Sequence, residues 1–201
     1  MSDPIFYFDF GSLNAYLAWR LLPGIEQRTG ARFEQVPVLL GGIFKATGNR
    51  SPVEAYAGAP AKLAYEFREI DRFVARHGLD EFRMNPHFPV NTLGLMRGAV
   101  AAEAEDVFDA YVAAIYHYMW EDPRKLDDPE VFEAALDEAG LPAEELIELA
   151  GDQAVKDQLA ANTRQAVEQG VFGLPAFIVG DELWFGKDRL REVEEAILEI
   201  S

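Results

Sequence analysis

The stretch "FDFGSLNAYLA", residues 8–18, places a serine where an apolar aromatic run gives way to helical spacing. Two chemistries suit Ser12. Its oxygen can accept a backbone N–H as a helix N-cap, a contact worth about 1 kcal/mol. Its O–H can also donate to an anion held at the unpaired N–H groups of the helix end, where the backbone dipoles favour negative charge. Asp9 lies in the apolar strand just before it. An unpartnered charge there is costly, so Asp9 reads as an acceptor for backbone or hydroxyl donors before it reads as a proton carrier.

Other candidates stand further along. "GGIFKATGNR" carries Lys45, Asn49 and Arg50 beside two glycines. The 201-residue chain has 35 acidic and 18 basic residues, a net charge of −17, and only five lysines: Lys45, Lys62, Lys125, Lys156 and Lys187. In such a field, a cation on a glycine-rich stretch is a candidate contact for an anionic group. "FRMNPHFPVNT" offers Asn85 as a pocket hydrogen-bonding group and Asn91 as a cap, and His87 reads as a surface histidine. "FGLPAF" sets Pro175 at the start of an apolar strand, and "FGKDRL" opens a helix with exposed donors.

Composition closes several routes. The acidic surface repels phosphate backbones, which argues against nucleic acid as a partner. The absence of cysteine excludes disulfides, protein thiol redox chemistry and thiolate metal sites. His77, His87 and His117 lack ligand spacing on one helix face, so no metal is expected. No run of eighteen apolar residues occurs, so no membrane span is expected. The N-terminal residues do not read as a secretion signal, which makes the cytosol the expected address.

The elements that must position these groups follow from periodicity. "PIFYFDF" reads as a buried strand, "LNAYLAWRLLPGIEQRTG" as a helix kinked at Pro23, and "ARFEQVPVLL" as a second, parallel strand. "GGIFKATGNRSP" reads as an irregular loop. Helical spacing then recurs over about 61–78, 93–104, 107–120, 129–140, 143–150 and 154–170. "LPAFIVG" and "ELWFG" form a hairpin around Asp181, and "KDRLREVEEAILEIS" closes the chain as an amphipathic helix. The order β-α-β, helical block, β-β-α predicts an α/β thioredoxin-like fold with a large all-helical insertion. One folding unit over 1–201 is expected, with a thioredoxin-like part at about 1–42 and 165–201 and an insertion at about 43–164.

"FDFGSLNAYLA", "GGIFKATGN" followed by "FPVNT", and "GVFGLPAFIVGDELWFGKDRL" together resemble the 2-hydroxychromene-2-carboxylate isomerase family. That family is related to kappa-class glutathione transferases and to the DsbA-type thioredoxin fold, and the resemblance spans nearly the whole chain. One departure is plain: Leu13 and Asn14 stand where the family usually has proline and an aromatic. Losing the proline relaxes the helix start. Asn14 changes what lines the pocket.

The resemblance implies glutathione as cofactor and an aromatic carboxylate as substrate. Thioredoxin-like redox enzymes open the first helix with Cys-x-x-Cys; here Ser12, Leu13, Asn14 and Ala15 occupy those positions. The thiol is therefore expected from glutathione, with Ser12 donating to its sulfur and favouring thiolate over thiol. Pro175 matches the cis-proline of the fold, leaving the N–H and C=O of Leu174 to pair with the cysteinyl part. Phe185, Gly186, Lys187 and Asp188 are implied at the γ-glutamyl end, Asn49 near glutathione, and Lys62 at its glycine carboxylate. Lys45 and Asn85 are implied at the substrate. The expected reaction is cis/trans isomerisation by transient thiolate addition and elimination. A kappa-like transferase and a non-catalytic thioredoxin-fold binding module are the alternatives. A homodimer is the expected assembly.

Overall fold

The structure is a computed structural model describing residues 3–200; Met1, Ser2 and Ser201 of the expected terminal segments lie outside the described residues. Four strands form one sheet in the order β2-β1-β3-β4. β1 (Ile5–Phe8) pairs in parallel with β2 (Glu34–Pro37), placing Tyr7 opposite Val36. On its other edge β1 runs antiparallel to β3 (Ala176–Val179), which forms a hairpin with β4 (Glu182–Phe185) through Gly180 and Asp181.

β1 reads as a continuous apolar run because both its faces are covered. Alternation sends Phe6 and Phe8 to one face and Tyr7 to the other. Phe6 stacks on Phe177 with ring centroids 5.4 Å apart. That face joins the main core with α1 (Leu13–Trp19), α2 (Leu22–Thr29), α6 (Leu93–Ala104), α7 (Phe108–Trp120) and α11 (Leu190–Ile200). Tyr7 belongs to a smaller core with Val38, Ile43 and Leu174, closed by α3 (Leu40–Thr47) and α10 (Gln153–Glu168). α4 (Pro52–Ala55), α5 (Pro60–His77), α8 (Pro129–Glu138) and α9 (Ala143–Ala150) complete the helices between β2 and β3. A 3-10 turn at Lys187–Arg189 leads into α11. No described helix is long and apolar enough to cross a membrane.

Three expectations are corrected. The first helix is broken in two, and Pro23 sits in the first turn of α2, where its missing N–H costs nothing. The strands are shorter than their apolar runs; β1 ends at Phe8, and Asp9 holds the turn that follows. The glycine-rich stretch after β2 is helical up to Thr47, as α3, and irregular only over residues 48–51, before α4 begins at Pro52. Gly42 serves close packing, since a Cβ there would lie 3.0 Å from the Thr163 Cγ2 of α10, and Gly48 ends α3 with φ 71°. Ile43 is fully buried on the inner face of the same helix.

A polar knot fastens α1 to the end of α7. The Tyr16 hydroxyl donates to Glu121 at 2.7 Å, Arg20 pairs with the same carboxylate, and His117 Nδ1 lies 3.0 Å from its other oxygen. Burial raises the Glu121 pKa, but the donors from His117, Tyr16 and Arg20 outweigh it and hold the carboxyl below its ordinary value. The stabilisation is therefore complete above the ordinary glutamate pKa and is lost as pH falls through the lowered one. Glu121→Gln should cost about 1–2 kcal/mol at pH 7, a charge-assisted contact discounted for partial exposure. In urea unfolding, the wild-type advantage should shrink as pH drops below the glutamate range.

Candidate active site

The turn between β1 and α1 is fixed atom by atom. The Phe10 N–H donates to Met96 Sδ at 3.4 Å, and the Phe10 carbonyl accepts Trp120 Nε1–H at 2.9 Å. The Gly11 N–H donates to Asp9 Oδ1 and the Ser12 N–H to the Asp9 carbonyl, both at 2.9 Å. Asp9 itself is 1% exposed. Its other oxygen accepts the Leu40 N–H at 2.8 Å, the first residue of α3, and the Thr92 side chain also hydrogen-bonds to the carboxylate. Burial pushes the Asp9 pKa up, while these three donors oppose the shift. One carboxylate thus ties the Ser12 turn to the starts of α3 and α6, which is the structural-acceptor reading of Asp9.

Ser12, 7% exposed, caps α1 by accepting the Ala15 N–H at 3.2 Å. Its hydroxyl proton points elsewhere, to the Leu174 carbonyl at 3.2 Å. The N–H groups of Leu13 and Asn14 find no acceptor among the described residues. The cap and the exposed donors therefore coexist on one residue and its helix.

The Leu174–Pro175 peptide is cis, as the fold resemblance implies. The Leu174 N–H has no partner among the described residues. Its carbonyl does not stay free: Ser12 occupies it, which corrects the expectation that both groups await a ligand. The Pro175 carbonyl accepts the Gly186 N–H at 3.0 Å, joining this loop to the end of β4. Gly186 has φ 98°, a conformation that favours glycine.

A rim extends from this junction. Asn49 Nδ2 donates to the Phe172 carbonyl at 2.7 Å. Phe172 and Phe185, 41% and 43% exposed, pack with centroids 4.6 Å apart and planes inclined at 47°. Gly173 sits beneath them, and a Cβ there would come within 3.0 Å of Phe185 Cε2. Residues 5–198 match the model of the DSBA-like thioredoxin domain. The chain belongs to that family.

Within it, the chain is 29% identical to 2-hydroxychromene-2-carboxylate isomerase of Sphingobium xenophagum, over 96% of this chain and 97% of the relative. It is 26% identical to Glutathione S-transferase kappa 1 of Homo sapiens, over 92% and 85%. A solved structure of 2-hydroxychromene-2-carboxylate isomerase superposes with a TM-score of 0.82 at 27% identity, covering 99% of this chain and 96% of that one. This member of the DSBA-like family carries no cysteine anywhere.

The structure sorts the sequence candidates. Ser12, Asn49, Leu174, Pro175, Phe185 and Gly186 form one contiguous set. Lys187 turns inward instead: it is 5% exposed, with its ammonium 2.9 and 3.0 Å from the two Asp188 oxygens and over the Phe73 ring. Asp188 remains exposed beside it, and the turn carrying both packs against α1. Lys62 lies over the Tyr56 ring at 3.8 Å, about three turns up α5 from Phe73. Lys45 is exposed in the last turn of α3, where a cation complements the helix dipole. Asn85 is spent internally: it donates to the Met119 and Arg124 carbonyls at 3.0 and 3.1 Å and accepts the His87 N–H at 2.8 Å. It braces the proline-rich loop and has no group left for a substrate. Asn91 accepts the Leu93 N–H at 3.1 Å at the start of α6, as its capping role requires, and His87 is exposed.

Sequence reasoning missed Phe172, Thr92 and Met96. Phe172 had a signal, an aromatic side chain directly before the glycine of "FGLP". Thr92 and Met96 had none, since both act through contacts made more than eighty residues from their place in the chain.

Proposed function

We propose that the protein is a glutathione-dependent isomerase of 2-hydroxychromene-2-carboxylate-type substrates. The observation that carries this reading is the pairing of Ser12 with Leu174 in a chain without cysteine. A hydroxyl on a helix tip faces a loop whose Leu174 N–H lacks an acceptor. That unpaired N–H fits the backbone of an extended peptide, which would add beside it as one more strand. The unpartnered N–H groups of Leu13 and Asn14 fit an anion. Glutathione supplies, when bound, a thiolate nucleophile that can add to a conjugated system and leave again.

The residues divide the remaining work. Ser12 turns its proton from the Leu174 carbonyl toward the anion and lowers the cost of keeping it charged. The Asp9 carboxylate holds the turn so that the hydroxyl needs no reorganisation. Phe172 and Phe185 offer an apolar rim of two inclined rings to an aromatic substrate, and Asn49 fixes the Phe172 backbone. Asp188, exposed two residues after Gly186 and already paired with Lys187, would have to share its carboxylate with a ligand ammonium group. Lys45 is the cation available on α3 for a substrate carboxylate.

Two measurements test the reading. Calorimetry should show glutathione binding, and turnover of the hydroxychromene carboxylate should leave the total thiol concentration constant. Stoichiometric loss of thiol would instead make the protein a transferase, the reading that the likeness to the kappa enzymes favours. No binding at millimolar glutathione would leave a thioredoxin-fold binding module.

A further inference from the structure

An open cleft of about 610 Å³ runs between α3, α6 and α10. Small-molecule sites span about 300–1,000 Å³. Three helical stripes wall it: Gly42 and Ala46 from α3, Leu93 and Arg97 from α6, and Leu159 and Val167 from α10. α3 and α10 meet at Thr163, whose hydroxyl accepts the Leu39 N–H at 3.0 Å. None of Ser12, Leu174, Pro175 or Phe185 lines the cleft. It is separate from the rim.

Its charge runs against that of the molecule. In a chain of net charge −17, the cleft collects Arg97, Lys156 and Arg164 against the single carboxylate of Glu168. Lys156 donates to the Gly151 carbonyl. Arg97 and Arg164 have no hydrogen-bond or ion-pair partner among the described residues. Arg97 Nε is moreover buried. A buried donor left unpaired costs about 1–3 kcal/mol, and more when charged. With 35 carboxylate side chains in the sequence, the fold leaves this guanidinium without one. Apart from Thr163, whose hydroxyl is engaged by Leu39 and Leu159, the remaining walls are aliphatic, and no aromatic ring lines them.

We propose that this cleft binds an alkyl carboxylate, with the chain along the aliphatic walls and the carboxylate on Arg97. An anion there meets Arg97, a lining guanidinium without a carboxylate partner among the described residues, and Lys156 and Arg164 outweigh Glu168 nearby. The apolar chain supplies the burial that a small inorganic anion lacks. An aromatic acid would find no ring to stack on, which sets this ligand class apart from the substrate expected at the rim.

Calorimetric titration of decanoate, below its micelle-forming concentration, into the full chain without glutathione provides the test. Decanoate should bind at one site, and decanol at least tenfold more weakly. Arg97→Met keeps the alkyl stem and removes the charge; it should weaken decanoate at least tenfold and leave decanol unchanged. Ala46→Trp, at an exposed position on the wall, should abolish binding of both. Thermal melts show whether Arg97→Met is folded; if it is not, Ala46→Trp and the exposed Arg164→Gln decide, the latter by a severalfold loss for decanoate alone. The proposal is overturned by absence of decanoate binding to the wild type, by equal affinity for decanol, or by variants that bind as the wild type does. It is equally overturned if Ala46→Trp dissociates a dimer while decanoate does not bind, which assigns the cleft to contact between copies. Because no glutathione is present, these outcomes are independent of the isomerase reading.

Discussion

Ser12→Ala should lower turnover of the hydroxychromene carboxylate by about 10²–10³-fold, the usual consequence of removing one preorganised donor from a reacting anion. Glutathione affinity should change little, because in the proposed mode Leu174 would hold the peptide backbone and the γ-glutamyl end would lie near Gly186. Stability should fall by about 1 kcal/mol, since the same oxygen caps α1 by accepting the Ala15 N–H. The two effects separate with a second variant. Ser12→Gly costs only a few tenths of a kcal/mol as a cap, yet it removes the hydroxyl as fully as alanine does. Steady-state kinetics beside urea unfolding should therefore show two variants of different stability and equally poor turnover. Wild-type turnover in both would reduce Ser12 to a cap and overturn its role at the thiolate.

The parts of this site that were legible in the sequence are those built from local rules. The aromatic run of β1, the serine at its end and the proline before β3 each announce their element within a few residues, so the thioredoxin-like order could be read directly. Glycine was the misleading residue. At Gly41 and Gly42 it suggested a loop, whereas the structure uses Gly42 to bring α3 against Thr163. Composition cannot distinguish a glycine that frees the backbone from one that admits a neighbour. Polar side chains misled in a second way. Asn85 and Lys187 have the chemistry of ligand-binding residues, but Asn85 satisfies the carbonyls of Met119 and Arg124, and Lys187 satisfies Asp188. Whether a polar group faces a ligand or a carbonyl depends on contacts distant in sequence. Asp9 was the informative exception, because a carboxylate inside an apolar strand demands partners wherever the chain finds them.

Asp9 therefore carries the second large prediction. Its two oxygens serve Gly11, Leu40 and Thr92, so they set the Ser12 turn relative to both α3 and α6. In Asp9→Asn one oxygen becomes an NH₂ group that must face a backbone N–H, donor against donor. The orphaned amide costs about 1–3 kcal/mol. The turn should also shift, and a displacement on the order of 1 Å at a catalytic group can cost about 10²-fold in rate. The variant should thus be folded, less stable and much slower, with glutathione still bound. A pH series separates loss of the charge from loss of shape. Burial raises the folded-state pKa of Asp9 above its unfolded value, so between the two the native state binds more protons than the unfolded chain. Stability from this group is then fully present below the ordinary aspartate pKa and is lost as pH rises through the raised one. Asp9→Asn lacks that slope. The stability difference between wild type and variant should narrow as pH rises through this window and become constant above it. A difference that does not vary with pH would mean that the Gly11, Leu40 and Thr92 donors fully offset the burial. The turn would then be held by an aspartate of ordinary acidity, and the loss of rate alone would report its positioning role.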